Sequence, residues 1–116
     1  MRLNIVAQNF ELTNAITRYV EDRVKLALGP ASKRINSVSV RLADINAERG
    51  GPDKRCRLVI WLSNLRTIVI DAVNADLYFA VDEAAGRAKE AVWRHLKRRR
   101  TLRREYANRS IRRLFV

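Results

Sequence analysis

Apolar residues recur along this chain in two rhythms. Between Asp76 and Arg104, Leu77, Val81, Ala84, Ala88, Val92 and Leu96 return at steps of three and four. At 3.6 residues per turn they share one face of a helix. Arg87, Arg94, Lys97 and Arg98 stand off that face. Ile16, Val20, Val24 and Leu28 return at steps of four and predict an earlier helix, with Arg18, Arg23 and Lys25 facing out. Thr13 is suited to cap its start, and Gly29-Pro30 to stop it. Asp76 is the expected cap of the later helix, with Asp82 and Glu83 in its early turns.

The second rhythm is strict alternation. Leu3, Ile5 and Ala7 mark a strand over residues 2–10. Val38, Val40 and Leu42 alternate with Ser37, Ser39 and Arg41 within 35–45. Cys56, Leu58, Ile60 and Leu62 oppose Arg57, Val59 and Trp61. Ile68, Ile70 and Ala72 oppose Thr67, Val69 and Asp71 over 66–73. Alternation of this kind gives each strand one buried and one wet face. Gly50-Gly51-Pro52-Asp53 predicts a turn in the polar stretch 47–55, and Ser63-Asn64 a short link.

The predicted order is β-α-β-β-β-α, an α+β fold. The last three strands are joined by short links and form an antiparallel meander. Two helices then cover one face of a four-stranded sheet in a two-layer sandwich. Residues 1–104 are expected to make one domain. Residues 105–116 are expected to be a mobile basic tail, with Asn108-Arg109-Ser110 as a helix breaker. Trp61 falls on the uncovered sheet face with Val59 and Val69. There it serves as a partner surface or as an ordinary cross-strand aromatic.

Charge changes the picture most. The chain has 116 residues and a formal net charge of +12. Residues 1–85 hold 12 basic and 10 acidic side chains, a net of +2; residues 86–116 hold 12 and 2, a net of +10. So uneven a distribution marks a surface for a polyanion. The excess is mostly arginine, whose guanidinium forks phosphate oxygens and stacks on bases. A membrane surface fits less well, because the apolar face is mainly Ala and Val and is needed against the sheet. Trp93 is placed to pack against the first helix, with base stacking as the other reading.

Catalysis finds little support. His95, the single histidine, lies in the basic run and is expected to be solvated or anion-facing. Cys56, the single cysteine, alternates with Leu58 and Ile60 and reads as core. Asp44, Glu48 and Asp53 match no metal-loop or glycosidase pattern. No cofactor, metal ion or small-molecule substrate is expected. With one cysteine, no secretory signal pattern and no membrane-span candidate, a cytosolic protein is expected.

Several segments resemble one family: Leu3-Asn4-Ile5, Asn9-Phe10-Glu11-Leu12-Thr13, Tyr19-Val20-Glu21, Arg34-Ile35-Asn36-Ser37-Val38 and, most specifically, Asp76-x-Tyr78-x-Ala80-Val81-Asp82. In order and spacing they look like the ribosome hibernation-promoting factor and ribosome-associated inhibitor family, in its short form. The resemblance covers about residues 2–98. It implies a fold similar to the double-stranded RNA-binding domain. It also implies binding to small-subunit rRNA at the decoding region, where the protein would block mRNA and tRNA and inhibit translation. The matching rRNA-binding positions are Arg23 and Lys25 on the first helix and Arg87, Arg94, Lys97 and Arg98 on the last. Charge alone adds Arg99 and Arg100. The family's frequent basic residues at positions 8 and 90 are Gln8 and Glu90 here. Its usual leucines at 84 and 88 are Ala84 and Ala88, so the helix is expected to lie close to the sheet. The family's dimerisation domain has no counterpart before Val116, so ribosome pairing by this chain alone is not expected. Self-association through the sheet is left open. From a different class, the alternative is a protein-interaction module that uses the sheet face around Trp61 and a basic docking arm.

Overall fold

The computed structural model describes residues 1–45 and 53–114, with the side chains of all these except 99–101 and 109–114. The elements are β1 (Arg2–Gln8), α1 (Asn14–Leu28), a 3-10 helix (Gly29–Arg34), β2 (Ile35–Asp44), β3 (Lys54–Leu62), β4 (Thr67–Asn74) and α2 (Leu77–Leu114). The turn expected at Gly50-Gly51-Pro52 lies outside the described residues.

Local chemistry sets the boundaries. The Thr13 Oγ1 accepts from the backbone N–H of Ile16 at 3.2 Å, one of the free donors at a helix start. Asp76 Oδ1 does the same for the N–H of Tyr78 at 2.8 Å. Gly29-Pro30 ends α1, but the chain tightens into the 3-10 helix before β2 instead of stopping. β1 ends at Gln8, two residues early. Asn9 then takes a φ of 66°, a left-handed conformation that Asn tolerates better than most residues.

The sheet order is β1-β2-β3-β4. β1 and β2 are parallel, while β2, β3 and β4 form the expected antiparallel meander. The inward positions of the strands meet Val20, Val24 and Leu28 of α1 and Val81, Ala84, Ala88 and Val92 of α2 in one core. The other sheet face is uncovered; Trp61 is 37% exposed and Val69 56% exposed.

The connections place both helices in the same sense. Each starts at the end of the sheet where β1, β2 and β4 finish. The pairs Tyr19–Tyr78 and Arg23–Asp82 keep one offset, 78 − 19 and 82 − 23 both being 59, so α1 and α2 run parallel. Both then reach the opposite end, where β2 begins and β3 turns into β4.

α2 is the outlier in size. Its 38 residues span about 57 Å at 1.5 Å each. A nine-residue strand such as β3 spans only about 30 Å. The helix therefore overhangs the sheet, and the molecule measures 69 × 25 × 19 Å. It passes without interruption through Asn108-Arg109-Ser110, where the sequence predicts a break.

Ala84 and Ala88 are fully buried where the family's usual residue is leucine. A methyl side chain lets a helix approach a sheet closely, and a larger one there overpacks the core. Ala88→Leu is therefore expected to destabilise the fold by about 1–3 kcal/mol. Urea unfolding would show a lower midpoint at an unchanged slope. An unchanged midpoint would reveal spare space beneath α2.

Candidate nucleic-acid interface

Three residues hold the helices in register. The Tyr19 hydroxyl donates to Asp82 Oδ1 at 2.6 Å, and Arg23 Nε donates to the same oxygen at 2.6 Å. The guanidinium also lies 5.7 Å from the Tyr19 ring centroid, and Tyr19 meets Tyr78 edge-on at 4.7 Å. The Arg23 hydrogen bond holds the Asp82 carboxyl below the usual carboxylate range, with Tyr19 acting in the same sense and partial burial opposing. The Tyr19 hydroxyl is raised, chiefly because it donates to Asp82. Of the basic residues predicted to meet rRNA, Arg23 is thus engaged inside the protein.

Arg87 is engaged as well. Its Nη2 donates to Glu83 Oε1 at 2.6 Å, and its Nη1 donates to the Asp71 carbonyl at 2.8 Å. β4 is an edge strand, so this contact satisfies a carbonyl that no neighbouring strand reaches. Lys25 is exposed on α1.

The remaining predicted cations gather further along α2. Arg94, Lys97 and Arg98 are exposed, and steps of three and four put them on one side of the helix. Here α2 passes the 3-10 helix, and a groove of about 750 Å³ opens between them. Arg34, Arg94, Lys97 and Arg103 line it. Its apolar part is Pro30, Ala31, Trp93 and Leu96. A second cavity of about 260 Å³ shares Arg34, Leu96 and Arg103 and closes on Ser63 and Asn64 of the β3–β4 turn. No acidic residue is among the described residues lining either cavity. Cations gathered on a concave surface raise the local concentration of an anion. The side chains of Arg99 and Arg100 lie outside the described residues.

Residues with catalytic potential are spent on structure. His95 was expected to face solvent or an anion. It is half-buried instead, with Nε2 accepting from the Asn64 amide at 3.0 Å. Cys56 is fully buried, and burial pushes its thiol up to about 12, far from a reactive thiolate. Asp44 and Asp53 pair with Lys54 at 2.8 and 3.3 Å. Among the described residues, no cluster of three His, Cys, Asp or Glu could hold a metal ion. No helix among them is long and apolar enough to cross a membrane.

A family model described as sigma 54 modulation protein / S30EA ribosomal protein matches residues 3–100. The chain belongs to this family. Ribosome binding, hibernation and translation regulation are the properties that fit the S30EA family. Its fold recurs in solved structures. A ribosomal subunit interface protein from Coxiella burnetii has a TM-score of 0.72 at 18% identity, covering 84% of this chain and 99% of its own; that likeness speaks for the fold alone. The Thermus thermophilus Protein Y N-terminal domain has a TM-score of 0.67 at 25% identity, covering 82% of this chain and 99% of its own. No curated protein matches the sequence. The S30EA match ends at residue 100, whereas α2 continues to Leu114.

Sequence reasoning missed Arg34 and Arg103 as members of the groove. Arg34 follows Gly29-Pro30, and only the parallel β1–β2 pairing brings that turn beside the distal part of α2. Trp93 does not pack out of sight against α1; it is 45% exposed in the groove wall.

The helix clamp has a pH signature. Because the folded-state value of Asp82 is depressed, its contribution is present above the ordinary carboxylate range, about pH 4, and is lost as pH falls through the depressed value. Asp71, held low by Arg57, acts in the same window. Asp82→Asn is expected to lower the thermal midpoint at neutral pH and to flatten, without abolishing, its decline below about pH 4. A variant with the parent's full acid slope would show that Asp82 is not a source of that slope.

Proposed function

We propose that this S30EA-family chain is a ribosome hibernation factor that binds small-subunit rRNA near the decoding region. In this reading its body occupies the path of mRNA and tRNA and inhibits translation by exclusion, without catalysis. It acts in the cytoplasm. The observation that carries the reading is the cluster of Arg94, Lys97 and Arg98 beside a groove lined by four cations and no described carboxylate.

Arginine suits the task because its fork reaches two phosphate oxygens at once. Residues 1–104 would supply the ribosome-binding body, and the remainder of α2 would add cationic length to it. Arg23 and Arg87 would act mainly by setting how α2 is presented, since each is already paired within the protein. Lys25 stays available on α1.

The uncovered sheet face fits a partner less well. Its apolar residues are interrupted by the Arg57–Asp71 pair, Nε to Oδ1 at 2.7 Å, and by Arg41 in the same cross-strand row. That charged row confines the apolar group of Val59, Trp61 and Val69 to one end of the face.

Co-sedimentation with purified small subunits tests the proposal. Arg94→Glu combined with Lys97→Glu is expected to abolish it while circular dichroism and the thermal midpoint stay at parental values. If about five cations each meet a phosphate, the logarithm of parental affinity should fall against log salt with a slope of roughly −3.5 to −4.5. Unchanged co-sedimentation of the double variant, or an affinity indifferent to salt, would overturn the assignment.

A further inference from the structure

We propose that the groove between the 3-10 helix and α2 is a pocket for one unpaired RNA base, stacked on Trp93, with adjoining phosphates held by Arg34, Arg94 and Arg103. The proposal rests on the rRNA reading above and goes beyond it. It names what the site prefers within RNA: an extruded or single-stranded nucleotide over a duplex.

Three observations converge on Trp93. The residue is 45% exposed although it stands in a concave wall with Leu96, Pro30 and Ala31. A lone exposed aromatic on a convex surface needs no explanation. An indole left open inside a groove of about 750 Å³ is different, because that volume falls within the roughly 300–1,000 Å³ typical of small-ligand sites. Every charged residue among the described lining of the groove is a cation. Arg34 and Arg103 lie where the groove meets the smaller cavity, and Arg94 is one residue along from the indole. A flat π-face beside guanidinium groups matches the two halves of a nucleotide, a base to stack and a phosphate to fork.

Other occupants fit worse. An acidic peptide would use the cations but gain little from the indole. A partner helix needs apolar anchors along several turns, and the groove offers one short apolar stretch. An A-form duplex keeps its bases stacked inside and could touch only the cationic rim. Trp61 supplies an internal control, because it is on the sheet face opposite the helices.

Binding of the full chain to three probes separates these cases: a short oligoadenylate, a blunt RNA duplex, and inorganic polyphosphate. Trp93→Ala is expected to weaken oligoadenylate binding about tenfold and to leave polyphosphate and duplex binding unchanged; Trp93→Phe should recover most of the loss. In a Trp61→Phe background, oligoadenylate should quench the remaining tryptophan emission and polyphosphate should not. Equal weakening of all three probes by Trp93→Ala, or no weakening of any, would overturn the pocket. The two levels fail separately. If charge reversal at Arg94 and Lys97 abolishes ribosome co-sedimentation but Trp93→Ala leaves oligoadenylate affinity intact, the pocket alone falls. If charge reversal leaves co-sedimentation intact, the rRNA reading falls.

Discussion

A single length mismatch governs this molecule. α2 is about twice as long as the sheet beneath it, so only its first half has an apolar surface to lie on. That half is a tightly buried stripe of Ala80, Val81, Ala84, Ala88 and Val92. Beyond Leu96 the helix has no sheet to cover, and its described side chains from 102 to 108 are exposed. A helix whose side chains are exposed, Leu102 and Tyr106 included, gains little from burial and is stabilised mainly by its own hydrogen bonds and local pairs. The anchored half thus fixes the direction in which a free, cationic half projects. The Tyr19–Asp82–Arg23 clamp sits at the anchored end, where a small rotation would be magnified along the rod.

Charge is partitioned to match. Acids are paired within the folded body: Asp82 ties α2 to α1, Asp71 ties β4 to Arg57 of β3, and Glu83 pairs with Arg87 one turn along α2. Residues 86–116 carry a net charge of +10, and arginines at steps of three and four repel one another along the helix. A polyanion relieves that repulsion, which salt only screens. The arrangement favours association with a large, fixed anion over a small one, since many phosphates must be met at once.

Much of the fold was legible because each signal was local. Alternation marked four strands, Thr13 and Asp76 marked helix starts, and the steps of Ile16, Val20, Val24 and Leu28 marked the face of α1 that is buried. Short links gave the meander. The reading of Asn108-Arg109-Ser110 as a break failed because Asn and Ser each lower helix propensity by only a fraction of a kcal/mol, and a helix already nucleated propagates through them. The candidate site was half legible. Arg94, Lys97 and Arg98 announce themselves by spacing on one helix. The groove does not, because Arg34 comes from a segment far in the chain from Trp93 and Arg103 of α2 and meets them only through the parallel β1–β2 pairing and the parallel helices. The setting of His95 is hidden for the same reason: Asn64, its partner, is contributed by a distant turn.

The central claim is that the distal half of α2, held by the sheet, is the surface that meets ribosomal RNA. A cryo-electron microscopy reconstruction of the chain on purified small subunits tests it most directly. The account predicts Arg94, Lys97 and Arg98 within hydrogen-bonding distance of rRNA phosphates and the sheet face carrying Trp61 turned away. A complex in which that sheet face meets the ribosome and α2 projects into solvent would contradict it.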